Sequence, residues 1–167
     1  MSSLSFSHAV QSLIHTTEVT LFALVDGLQY ERFTGEELVF KREEVLPLFN
    51  TWPDSRIAFA GPWIIGINEA MGIREKLCEL EATLPSVSWI LSSATPADLV
   101  EHFQKNINIG LPDGRAALLR IQDPRVQVRL GAMLDSLQHQ KLTHLTREWV
   151  TTIDGKAWSL KQREFIC

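Results

Sequence analysis

Two apolar periodicities alternate along the chain. Phe6, Ala9, Val10, Leu13 and Ile14 fall at i, i+3, i+4, i+7 and i+8, the stripe of an amphipathic helix, with serines before it placed to cap the first turn. Residues 19–27, VTLFALVDG, form a nearly unbroken apolar run rich in β-formers and closed by Asp-Gly, which predicts a strand buried on both faces. GPWIIGI (61–67) and VSWILSS (87–93) predict two more strands. Between them, residues 69–84 read as a helix with Met71, Leu77, Leu80 and Leu84 near one face. In TPADLVEHFQKNI, Thr95 as N-cap, Pro96 at the first helical position and Asp98 in the first turn predict a helix start. DGRAALLRIQ predicts a fourth strand entered through a turn at Asp113-Gly114. A helix over 124–139 follows, with Val126, Val128, Leu130, Met133, Leu134 and Leu137 as its apolar positions. REEVLPLFNTW is ambiguous between a short helix broken near Pro47 and irregular chain. The segment 147–162 carries Asp154-Gly155 between two β-rich runs, a hairpin signal.

Strands separated by helices predict an α/β fold: one layered domain over residues 1–167, its mixed, partly parallel sheet flanked by helices and completed by a C-terminal β-hairpin. The first helix and the final hairpin read as the elements least committed to the core. At 167 residues the chain is long enough to bury a core without disulfides or a structural metal. The 45% apolar and 22% charged content is that of an ordinary globular protein, and a formal charge of -4 with no basic block argues against nucleic-acid binding. Cys78 and Cys167 form no disulfide framework or zinc spacing. No apolar run approaches the roughly 18 residues needed for a membrane span, and the first fifteen residues lack signal-peptide character, so a cytoplasmic location is expected.

Candidate chemistry is sparse. Ser92 and Ser93 stand where a strand hands over to a helix, and with His102 and Asp123 they could be assembled into a Ser–His–Asp set. The G-x-S-x-G elbow is absent, since the flanks read Ile-Leu-Ser-Ser-Ala, and strand-end bonding and helix capping account for both serines. The histidines at 8, 15, 102, 139 and 144 have no metal-ligand spacing, and GLPDGR is not a phosphate loop. No catalytic residue, metal or cofactor is therefore expected. Of five tryptophans, Trp63 and Trp89 lie in apolar strands and are expected in the core. Trp52, Trp149 and Trp158 have polar neighbours and are the candidates for a partner-facing surface. In LLRIQDPRVQVRL (118–130), Asp123 is suited to cap a helix that Pro124 begins, and Arg125, unfavourable at a helix N-terminus, calls for a carboxylate partner, with Asp26 the leading choice.

Taken together, several of these stretches resemble the domain of unknown function 4123 family, found among adaptor or chaperone proteins of bacterial type VI secretion. The motifs are Ala23-Leu24-Val25-Asp26-Gly27, then Pro62-Trp63-Ile64, then Trp89 with Ser93 (or Ser92). His102 follows in the next helix, and Arg120-Ile121-Gln122-Asp123-Pro124-Arg125-Val126 closes the series. The similarity covers about residues 19–142; Gln122 stands where relatives usually carry an aromatic residue. The resemblance implies a non-enzymatic, cytoplasmic protein that binds a toxic effector and helps load it onto the valine-glycine repeat spike protein. An immunity-type binding protein is the first alternative, and a small serine hydrolase using Ser93 and His102 the second.

Overall fold

A computed structural model describes residues 3–51, 54–67, 71–110 and 112–166. Among the described residues there are nine strands: β1 (Thr20–Asp26), β2 (Val45–Pro47), β3 (Pro62–Gly66), β4 (Val87–Ser92), β5 (Asn108–Gly110), β6 (Ala116–Leu118), β7 (Thr146–Ile153), β8 (Lys156–Ser159) and β9 (Glu164–Phe165). Six α-helices accompany them: α1 (Leu4–Ile14), α2 (Gly27–Thr34), α3 (Arg74–Thr83), α4 (Pro96–Ile107), α5 (Pro124–Met133) and α6 (Ser136–Thr143). Short 3-10 turns lie at Asp54–Ala60 and Met71–Ile73.

Seven strands form one open sheet in the order β2-β3-β1-β4-β7-β8-β9, and every pairing among the described residues is antiparallel. The expected parallel component is therefore corrected. The reason lies in strand order: β3 and β4, joined through α3, do run in the same direction, but β1 is inserted between them and pairs antiparallel with both. A helical connection set the direction of the strands without making them neighbours.

The three apolar runs became β1, β3 and β4, and they are buried on both faces as their unbroken hydrophobicity requires. On one face Ala23, Trp63, Trp89 and Val150 pack under α1, α2 and α3, which contribute Phe6, Ala9, Tyr30, Leu77 and Leu80. On the other, Phe22, Leu24, Ile64, Ile90 and Trp149 meet Leu99 and Phe103 of α4, Leu130 of α5 and Leu142 of α6. The result is a three-layer α/β/α arrangement.

Helix ends follow the side chains that cap them. Ser3 caps α1, Thr95 caps α4 ahead of Pro96, and Asp123 caps α5 ahead of Pro124. The helix expected over 124–139 is broken in two, because Leu134 turns extended at the end of α5 and Asp135 begins α6 with a capping box to Gln138. The ambiguous segment holds β2, with Pro47 at the end of an edge strand, where a missing N–H costs no ladder bond. The run after Asp113-Gly114 yields only β6, paired with β5 in a separate two-stranded ribbon.

The C-terminal hairpin turns at Asp154 and Gly155, both at positive φ (51° and 75°), as a two-residue hairpin turn demands. It is not peripheral. β7 and β8 are internal strands of the main sheet, and α1 packs across them, so both elements read as least committed are part of the core.

Candidate functional site

Asp26, Gly27, Pro62, Trp63, Arg120, Asp123 and Arg125 of the motif series converge where β1 and the loop before α5 meet, whereas Ser93 lies by the opposite end of β1. Asp26 ends β1 and is buried; its Oδ1 accepts from the Leu28 N–H (3.1 Å) and the Gln29 N–H (3.3 Å), capping α2. Its Oδ2 accepts from Arg120 Nη2 at 3.2 Å. Gly27 follows because no side chain fits: a Cβ there would lie 2.1 Å from the Phe59 carbonyl oxygen and 2.8 Å from Trp63 Nε1. Trp63 donates its indole N–H to the Ala58 carbonyl (2.9 Å), and the Gly27 N–H donates to the Gly61 carbonyl (2.8 Å). Pro62, between them, accepts the Leu48 N–H. Three separated pieces of sequence are tied into one corner.

Asp123 caps α5 as its position predicts, its Oδ1 accepting from the Arg125 N–H at 2.9 Å. The partner expected for Arg125 is corrected. Arg125 folds back onto the same cap, with Nε 3.1 Å from Oδ1 and Nη2 2.9 Å from Oδ2 of Asp123. Arg120, at the end of the loop from β6, is the residue that reaches Asp26. Both carboxylates are buried, whereas the Arg120 and Arg125 side chains are 57% and 65% exposed.

The environments of the two acids differ in sign. Burial pushes Asp26 above the usual carboxylate range, and its backbone donors and Arg120 only partly offset that. Burial also acts upward on Asp123, but the hydrogen bonds and charge of Arg125, helped by Arg120, outweigh it and hold the group below that range. This corner is a clamp: it fixes where α2 and α5 begin and presents two guanidinium groups at the surface.

The residues considered for serine hydrolysis are not brought into one constellation. Ser92 Oγ donates to the Leu145 carbonyl (2.6 Å) and accepts the Ala94 N–H, and Ser93 is exposed beside it. His102 Nε2, buried in α4, donates to the Leu142 carbonyl at 2.7 Å, and burial pulls its imidazole below the ordinary range. Asp123 is taken up by Arg125. Among the described residues, no group of three His, Cys, Asp or Glu side chains is placed to hold a metal ion, and no helix is long and apolar enough to cross a membrane.

The tryptophan assignment also changes. Trp63 and Trp89 are buried as expected, but so are Trp149 and Trp158, at 0% and 5% exposure. Trp149 alternates inward on β7, donating to Ser88 Oγ (3.0 Å) with its ring 5.1 Å from that of Phe103. Trp158 lies against α5 at Gly131, where a Cβ would come within 2.7 Å of its ring. Their polar neighbours in sequence are the residues on the opposite face of the strand. Trp52 lies outside the described residues.

A wider opening than this corner lies elsewhere among the described residues, at the end of the sheet where β1 begins and β4 ends. A cleft of about 920 Å3 runs between residues 40–46 and the start of α4. Phe22 and Leu46 line it on the sheet side, Phe40 and Arg42 on one wall, and Ser93 and Pro96 on the other. Phe40 is 59% exposed and its neighbour Val39 is exposed too. The apolar triplet Leu38-Val39-Phe40 inside the polar run GEELVFKREE was the sequence signal for this wall; only Leu38 is buried.

The model of the family described as "Domain of unknown function (DUF4123)" matches residues 21–144. No curated protein and no solved structure matches the chain.

Proposed function

The chain belongs to the DUF4123 family, and from that premise we propose that it is a cytoplasmic adaptor or chaperone that binds a type VI secretion effector and helps load it onto the valine-glycine repeat spike. The observation that carries this reading is the cleft between residues 40–46 and α4, an open concavity with an exposed aromatic wall. Phe40 and Val39 offer apolar contact that this chain leaves unburied, and Arg42 and Ser93 supply polar contacts at the rim. The cargo segment seats an apolar side chain against Phe40.

The test is co-expression with the effector encoded beside this gene, followed by co-purification. The wild-type chain recovers a complex, and Phe40→Asp lowers the affinity about tenfold or more, as loss of a central aromatic contact does, with an unchanged melting temperature because Phe40 is exposed. Recovery of no complex, together with effector solubility indifferent to deletion of this chain, overturns the adaptor reading. A complex that survives Phe40→Asp overturns the cleft as its seat. Self-intoxication on deletion, with secretion intact, assigns the chain to immunity instead.

A further inference from the structure

Residues 38–45 form a ridge between two openings. Phe40 lines the cleft of about 920 Å3 on one side, and Val39 lines a second opening of about 380 Å3 on the other; Glu44 borders both. The ridge is braced. Leu38 is buried, Lys41 and Val45 exchange backbone hydrogen bonds (3.0 and 2.9 Å), and the Glu44 carbonyl accepts the Gly66 N–H at 2.8 Å. Val39 and Phe40 are nonetheless 68% and 59% exposed. Two adjacent apolar side chains are thus held in water on a fixed turn, where folding gains little from them.

The second opening holds a buried donor without an acceptor. Tyr30 of α2 is only 5% exposed, yet it lines this opening, and among the described residues nothing hydrogen-bonds its hydroxyl. The side-chain polar atoms sealed from water without a partner, among those residues, are Gln122 Oε1 and Gln127 Oε1. The Tyr30 oxygen is not one of them, so it reaches the opening. Burial, and then the charge of Glu36, push this phenol above its ordinary range, so it stays protonated and able to donate at neutral pH. Val45 and Ile73 add apolar lining beside Val39, while Lys41, Lys76, Glu37 and Glu44 supply two charges of each sign. None of these four is in an ion pair among the described residues. A nucleic-acid backbone would bring its phosphates against both glutamates, and a lipid surface would strip water from all four charges. A neutral stretch of polypeptide meets neither cost.

We propose that the cargo segment seated against Phe40 continues over this ridge as an extended chain, places a second apolar side chain against Val39 and Ile73, and offers a backbone carbonyl to the Tyr30 hydroxyl. This second seat presupposes the adaptor reading and adds the chemistry of the bound segment: two apolar residues a few positions apart, with a carbonyl free to accept. An extended chain advances about 3.3 Å per residue, so a short segment suffices to cross the ridge. Its carbonyls lose water on docking and need donors, and Tyr30 is one already in place. Because the ridge and the phenol ring are fixed before binding, little of this chain has to be ordered by the cargo.

Affinity for the effector encoded beside this gene, measured by titration calorimetry on the full chain, tests the second seat. Tyr30→Phe keeps the buried ring and removes only the hydroxyl. It should weaken binding about three- to tenfold, the range of one net hydrogen bond. The melting temperature should not change, since that hydroxyl bonds nothing in the free chain. Val39→Ser should weaken binding severalfold, also with an unchanged melting temperature because Val39 is exposed. A complex weakened by Phe40→Asp but indifferent to Tyr30→Phe or to Val39→Ser overturns the second seat and leaves the adaptor reading standing. A lowered melting temperature in Tyr30→Phe assigns the hydroxyl to a bond within the chain and overturns the seat too. Native mass spectrometry of the chain alone covers the other occupants: a small molecule or a second copy retained by the wild type and lost in Tyr30→Phe fills the opening in place of cargo, and the seat fails. Absence of any wild-type complex overturns the adaptor reading and the second seat with it.

Discussion

At the scale of single residues, the most informative pair is Asp26 and Asp123, two buried caps with opposite electrostatics. Asp123 is held below the ordinary aspartate range, so its contribution to stability is fully present above the unfolded value of about 3.9 and is lost as pH falls through the folded value. Asp123→Asn keeps a cap oxygen but loses the charge that meets Arg125. We expect it to cost about 1 kcal/mol near neutral pH, the exposure of Arg125 keeping the figure small, and to cost less at pH 3. Urea denaturation at the two pH values checks this, and an equal cost at both would refute the assignment. That Asp123 caps a helix was legible in Asp-Pro-Arg. Which arginine meets which aspartate was not, because Arg120 and Arg125 carry the same chemistry and only the path of the loop before α5 separates them.

At the scale of elements, Gly27 is where α2 and the 3-10 turn at Asp54–Ala60 come too close for any side chain. The nearest obstacle to a Cβ is a backbone oxygen, which cannot swing aside as a side chain can. Gly27→Ala should therefore destabilise by about 1–3 kcal/mol, the range for overpacking a tight site, even though alanine is the better helix former. Chemical denaturation measures it; a neutral or stabilising result would mean that α2 moves freely against that turn. Apolar runs and caps exposed β1, β3, β4, α1 and α4 to sequence reading because their signals are local. The break between α5 and α6 was hidden, since apolar spacing continues across it through Leu134 and Leu137 while Leu134 turns extended and Asp135 begins a new helix. The short β2 was hidden for the opposite reason: three edge residues carry too little pattern to stand out from a loop.

At the scale of the whole molecule, Trp149 links the sheet to the helical layer that the chain builds between β4 and β7. It is fully buried, bonded to Ser88 across the sheet and packed on Phe103 of α4. Trp149→Ala should lower stability by about 3–5 kcal/mol, a large share of the total for a chain of this size. A urea midpoint shift of that order is expected; a near-neutral effect would mean that the ring faces a partner and not the core.

Sequence alone determined the α/β class, the strands with unbroken apolar runs, the helix caps, the hairpin at Asp154-Gly155 and the family resemblance, which the match over residues 21–144 bears out. Each of these rests on contacts between near neighbours or on the presence of a residue type, and such features are written along the chain. Only the tertiary structure decided that the sheet is antiparallel, that Trp149 and Trp158 face inward, and that Asp26 takes Arg120. These depend on which segments become neighbours in space: β1, inserted between β3 and β4, turns one expected parallel pairing into two antiparallel ones, and the side of a strand that meets a helix layer is fixed by that layer's position.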